Sequence, residues 1–344
     1  MDYITSVGSL CLSVPWRLCI GVEMSRNEKK AAVCLIWGLF VAASVFWTGL
    51  AAYSDEPAGI PASVSQFVPA PQKTFNIWPD LPPGGVPADL KEESWRDVGD
   101  SYHSVFVNNV AIPTLAYYPA ENPNGACVLV FPGGGYATLA YNYEGADIAK
   151  WFAQAGVSAF VLKYRVPSRE GVPRYWAAFQ DAQRAIRLVR SNAEEYGIDP
   201  NKIGVLGFSA GGHLAFIMAN ESDTKTYEPI DDIDKVDPKP NFAVPIYPGY
   251  LLEDINDFSE LKLSDAIKID PNAPPHFIAV ASDDANRGFA SAILYCELKR
   301  KGVPVELHIP LEGGHGFGVR EDKGVAAEWI QYCEKWLHTI KMIQ

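Results

Sequence analysis

The amino-acid sequence predicts an α/β fold: a mostly parallel central sheet flanked by helices. Three observations carry this prediction. A continuous apolar run at Ala126–Phe131 is of the kind expected for a strand buried on both faces, and a further strand is expected at Ser158–Tyr164. Helix-period patterns separate these strands, so successive strands must be joined by right-handed crossovers. The third is a junction at Ile203–His213, where an apolar strand enters Gly207-Phe208-Ser209-Ala210-Gly211 and a helical pattern follows at once.

Taken in order, residues 1–23 carry no clear pattern. Met24-Ser25-Arg26-Asn27-Glu28-Lys29-Lys30 then precedes an uncharged run from Ala31 to Tyr53. A basic stretch, an apolar stretch and small residues at Gly49 and Ala51 make a secretory signal. The run is also long enough to span a bilayer as a retained anchor, and Met24 competes with Met1 as the start. The expected location is therefore secreted or periplasmic, with membrane anchoring as the alternative. Residues 54–95, rich in proline, read as a linker or a surface-hugging arm without its own core. The folded domain is expected over 96–344.

Within that domain, Val105-Phe106-Val107 and Pro113–Tyr118 read as an antiparallel pair. Strands at Ala126–Phe131, Ser158–Tyr164, Ile203–Leu206, Phe242–Ile246, His276–Ala281 and Val305–Ile309 should follow. Helices are expected at about 144–155, 176–196, 213–219, 287–301 and 322–339. The segments 221–237 and 250–270 read as insertions near the carboxyl ends of strands, where such sheets bind ligands.

Composition excludes some functions. A net charge of −12 argues against nucleic acid as a partner, and membrane contact would come only through the N-terminal segment. The aromatic residues (9 Trp, 16 Tyr, 16 Phe) fill a core or offer a sugar-stacking surface. Of six cysteines, Cys11, Cys19 and Cys34 precede the fold, while Cys127, Cys296 and Cys333 read as small buried apolar residues. No metal cluster or cofactor motif is evident.

Four pieces of chemistry stand out. A serine on a strand-to-helix turn is exposed at a helix N-terminus, which makes Ser209 the candidate nucleophile. Pro132-Gly133-Gly134-Gly135-Tyr136 follows a buried strand, and three glycines in a row can turn N–H groups into a cavity. With Ala210 N–H they would form an oxyanion hole from Gly133 or Gly134. After the strand ending near Ala281, Asp283 is the expected carboxylate partner of an imidazole, and Asp284 a helix cap or supporting group; both remain open. His315, in the glycine-lined loop Gly313–Gly318, is the candidate general base. His213, His276 and His308 read as structural, His103 and His338 as surface residues. Glu144 and Asp181 read as structural carboxylates. Tyr136, Tyr247 and Tyr250 are candidates for the pocket lining.

The order Ser209, Asp283, His315 along the chain is that of α/β-hydrolases. Residues from about 100 to 340 resemble this superfamily, in its hormone-sensitive-lipase-like and carbohydrate (acetyl xylan) esterase-like branch. The resemblance rests on Pro132–Tyr136, Val161-Leu162-Lys163-Tyr164-Arg165, Asp181–Ile186, Gly207–His213, Tyr247-Pro248-Gly249-Tyr250 and Gly313–Gly318. It implies an α/β-hydrolase fold with no large cap domain, and hydrolysis of short acyl esters on a small molecule or polysaccharide without cofactor or metal. Two departures stand out: Pro132 replaces the usual histidine, and Ala285-Asn286-Arg287 replaces a Val-Pro-containing continuation after the acidic pair. A prolyl-oligopeptidase-type serine peptidase and a non-catalytic binding protein are the rival expectations.

Overall fold

The computed structural model describes residues 59–254 and 262–344. The expected leader or anchor, Cys11, Cys19, Cys34 and residues 255–261 lie outside the described residues. The strands are β1 (Lys73–Asn76), β2 (Ser94–Asp97), β3 (Val105–Asn108), β4 (Thr114–Tyr118), β5 (Cys127–Phe131), β6 (Thr138–Ala140), β7 (Ser158–Lys163), β8 (Ile203–Phe208), β9 (Phe242–Ile246), β10 (His276–Ala279) and β11 (Val305–His308). The α-helices are α1 (Asp147–Gln154), α2 (Trp176–Ser191), α3 (Ala210–Glu221), α4 (Arg287–Arg300) and α5 (Trp329–Thr339).

Eight strands form one sheet in the order β1-β4-β7-β5-β8-β9-β10-β11. β1, β4 and β7 pair antiparallel; from β7 to β11 every pairing is parallel. The parallel strands β5, β7, β8, β9 and β10 are buried at every position, which explains why they are predominantly apolar. β8 lies at the centre, with Val205 opposite Leu129 on one side and Ala243 on the other. Every α3 residue from Ala210 to Asn220 is buried, so this mostly apolar helix is covered on every side and fixed between other elements. Each fully buried large apolar side chain contributes roughly 1.5–3 kcal/mol. The end of β8 and the start of α3 are therefore held rigidly.

Three expectations need correction. β3 and β4 do not pair with each other. β4, buried throughout, joins the large sheet beside β7; β3 alternates buried and half-buried residues and sits between β2 and β6 in a three-stranded sheet. That alternation suits a strand with one covered face.

The second correction concerns residues 59–95, which are built into the domain. β1 is an edge strand of the main sheet, and Val64, Val68, Ile77 and Trp78 are buried in its core. Trp78 Nε1 donates to Asp181 at 2.9 Å, and Arg184 Nε donates to Ile77 O at 3.0 Å. Proline density hid this, because four-residue strands give little periodic signal. The third is Cys296, which is exposed on α4, while Cys127 and Cys333 are buried.

Candidate active site

The β8–α3 junction sets the first functional group. Ser209 has φ 52° and ψ −112°, a strained conformation for a residue with a side chain. It is imposed by tight packing around the turn. A Cβ on Gly207 would meet Gly211 O at 2.0 Å, and one on Gly211 would meet Phe131 O at 2.0 Å. Only glycine lets strand and helix approach this closely. Ser209 N–H donates to Ile246 O at 3.0 Å, which anchors the turn to β9.

His315 comes from the loop between β11 and α5. Its Nε2 lies 2.9 Å from Ser209 Oγ, and its Nδ1 lies 2.7 Å from Asp284 Oδ2. Asp284 is 3% exposed, and its Oδ1 accepts from Arg287 Nη1 at 3.0 Å. Asp283, the carboxylate expected to hold the imidazole, does not reach it. Its oxygens accept the N–H groups of Gly314 at 2.8 Å and Gly313 at 3.3 Å. The Gly314 N–H is foremost in holding its carboxyl below the usual carboxylate range. The physical reason is the turn after β10, where Asp284 N–H donates to Ala281 O. This directs Asp284 to the imidazole and leaves Asp283 in solvent, shaping the histidine loop.

The glycine loop is also corrected at one position. Gly133 N–H donates to Glu144 Oε2 at 2.9 Å, so it is not available to an oxyanion. Gly134 lines the cavity with Ser209, and its N–H has no hydrogen-bond partner among the described residues. Gly134 has φ +128°, and a Cβ there would meet Thr138 O at 2.1 Å. Ala210 is the first residue of α3, where an N–H has no intrahelical acceptor. Gly134 N–H and Ala210 N–H thus remain uncommitted beside Ser209, while Gly133 N–H is held by Glu144.

These groups open into a cavity of about 820 Å³ whose walls include Phe106, Tyr250, Leu252, Arg174, Arg320 and Glu253. Of the three tyrosines expected to line a pocket, only Tyr250 does so. Tyr136 and Tyr247 are 1% and 0% exposed and lie beneath the site. The Tyr136 hydroxyl is 2.9 Å from His213 Nδ1, and burial pushes that imidazole down to about 3, so His213 is a neutral packing residue. The Tyr250 ring stacks with the Tyr136 ring at 5.7 Å, and the Arg174 guanidinium lies 4.4 Å from its ring centre. Among the described residues, no group of three or more His, Cys, Asp or Glu is arranged to hold a metal.

Comparison with known proteins agrees with this architecture. Residues 116–246 match the BD-FAE family model. The acetylxylan esterase of Xylanibacter ruminicola is 28% identical over 240 residues, covering 64% of this chain and 45% of that protein. The chain thus spans less than half the length of that relative. The acetyl ester-xyloside bifunctional hydrolase of Caldicellulosiruptor lactoaceticus superposes with a TM-score of 0.60 at 31% identity, over 80% of this chain and 99% of that one. This chain belongs to the esterase branch of the α/β-hydrolase superfamily. A propionate-bound esterase from Thermogutta terrifontis shares the hydrolase fold, with a TM-score of 0.56 at 25% identity over 74% of this chain and 96% of that one.

Two residues of this α/β-hydrolase site escape sequence reasoning. Glu144 reads from sequence as a structural carboxylate at a helix start, yet it is 3% exposed and bonded to the glycine loop. Arg287 stands where the chain departs from the superfamily pattern, and that departure was its signal.

Proposed function

We propose that this chain is a serine carboxylesterase that removes short acyl groups, acetyl foremost, from carbohydrate. The observation that carries the reading is the relay Ser209 Oγ–His315 Nε2 at 2.9 Å and His315 Nδ1–Asp284 at 2.7 Å. His315 takes the Ser209 proton as Oγ attacks the ester carbonyl. Asp284 keeps the imidazole oriented and stabilises the imidazolium. The tetrahedral oxyanion forms between Gly134 N–H and Ala210 N–H, each such donor being worth roughly 3–4 kcal/mol. His315 then returns the proton to the leaving alcohol, and water activated by the same imidazole releases the acid from the acyl-serine.

The size of the cavity, about 820 Å³, supports a bulky alcohol partner, because an acetyl group fills a small fraction of it. Its rim mixes aromatic and charged side chains, which suits a polyhydroxylated ligand. The acetylxylan esterase relative and the propionate-bound neighbour point to the same short acyl esters. The leader at 24–53 fits export to where polysaccharide is met, and N-terminal sequencing of the mature protein tests this part.

The function is tested by a panel of acetylated xylan, p-nitrophenyl esters of increasing chain length and peptidyl-proline amides. Acetyl esters should be cleaved fastest, and Ser209→Ala should abolish cleavage. Preference for the proline amides would replace the esterase reading with a peptidase.

A further inference from the structure

Glu144 is a buried carboxylate that the mechanism above does not use, and it is bonded to the glycine loop directly and to the histidine loop through Tyr247. It lies in the π-helical turn Asn142–Ala146 that precedes α1. Its Oε2 accepts Gly133 N–H at 2.9 Å, and its Oε1 accepts the Tyr247 hydroxyl at 2.8 Å. Tyr247 in turn accepts Gly318 N–H at 3.1 Å, three residues beyond His315. One carboxylate thereby links the loop that follows β5 to the loop that carries the base.

At Gly133 the approach is too close for any side chain. A Cβ on Gly133 would lie 2.3 Å from Glu144 Oε2 and 3.1 Å from Ser209 Cβ. A Cβ on Gly316 would lie 3.8 Å from Glu144 Oε1. Glu144 also lines the cavity with Ser209 and His315.

Resting on the esterase reading above, we propose that Glu144 is a positioning residue for the reaction. It holds the Gly133 peptide turned away from the substrate so that the Gly134 donor serves the oxyanion, and its charge favours the imidazolium of His315.

The ionised form fits the bonding, because both oxygens accept from donors that have no other acceptor in the network. Tyr247 is fully buried and its hydroxyl is held far above its usual range, so it stays a donor. Burial raises the Glu144 carboxyl above its ordinary value, while the Tyr247 hydroxyl, His315, Gly133 N–H and Arg320 act against that rise. The charged and titratable groups facing it are Tyr143 on its own turn, Tyr164 after β7, Tyr247 after β9, and His315 and Arg320 from the loop after β11. Asp284, paired with Arg287, faces the same imidazole at Nδ1.

The test uses p-nitrophenyl acetate and the full chain. Glu144→Gln keeps the volume and removes the charge; Tyr247→Phe keeps the charge and cuts the link to Gly318. Glu144→Gln should lower kcat about tenfold or more with KM within about threefold, as expected when an interaction made in the transition state is lost. The acid limb of its kcat/KM profile should move to lower pH, because a negative charge near the imidazolium is gone. Tyr247→Phe should lower kcat by about threefold or more at similar KM.

Wild-type kcat in Glu144→Gln, or a loss of kcat with the acid limb unmoved, would reduce Glu144 to packing and overturn the proposal. Should Glu144→Gln fail to fold, Tyr247→Phe decides alone: unchanged kcat overturns it. A wild-type protein inert on acetyl esters would be a different failure, sinking the esterase reading itself.

Discussion

His315 Nδ1 meets Asp284 Oδ2 at 2.7 Å, while the neighbouring Asp283 accepts the backbone N–H groups of Gly313 and Gly314 from the loop that carries the imidazole. The two adjacent carboxylates thus act on one histidine in different ways, one through its ring and one through its loop. Asp284→Asn should lower kcat by roughly 10⁴-fold, as expected when an imidazole loses its orienting carboxylate. Asp283→Asn should cost less than about tenfold, since asparagine still accepts an N–H. Steady-state kinetics on p-nitrophenyl acetate compares the two directly.

Arg287 holds the outer oxygen of Asp284 at 3.0 Å. Arg287→Gln leaves the Asp284 charge uncompensated, which favours the imidazolium. The acid limb of kcat/KM should therefore move to higher pH, the opposite direction to Glu144→Gln. An unmoved limb would make the Asp284–Arg287 pair an ordinary helix-start ion pair.

Gly134 sits where a side chain has no room, with Thr138 O at 2.1 Å from the position of a Cβ. Gly134→Ala must shift the loop and misplace one oxyanion donor. We expect kcat to fall by about 10²-fold or more, and the circular dichroism melt to move to lower temperature because the backbone must give way.

His276 is fully buried, its Nδ1 lies 2.7 Å from Pro274 O, and burial pushes it down to about 4 from the ordinary 6.5. The unfolded chain then takes up a proton that the fold refuses. Stability from this group is complete above pH 6.5 and is lost as pH falls from there toward 4, by about 2 kcal/mol at pH 5. Denaturant unfolding at pH 7 and pH 5 should show a smaller pH dependence in His276→Gln than in wild type.

Much of this was legible in the chain itself, for identifiable reasons. Buried parallel strands announce themselves as predominantly apolar runs, and Gly207-Phe208-Ser209-Ala210-Gly211 marks a junction that only glycine can form. His315 was legible because a glycine loop follows the last strand. The choice between Asp283 and Asp284 was not, since periodicity does not say which way a turn aims adjacent side chains. Tyr136 follows the glycine loop and Tyr247 stands three residues before Tyr250, yet both are buried beneath the site, and closeness in the chain carries no information about depth. Glu144 was hidden for a similar reason: its partners Gly133 and Tyr247 are 11 and 103 residues away.

The central claim is that Ser209 carries the acyl group. Wild-type protein mixed with p-nitrophenyl acetate, quenched in acid, digested and analysed by mass spectrometry should show one acetyl group on the peptide containing Ser209. That label should be absent in Ser209→Ala, along with the activity. Acetyl found on another residue, or hydrolysis persisting at the wild-type rate in Ser209→Ala, would contradict the account.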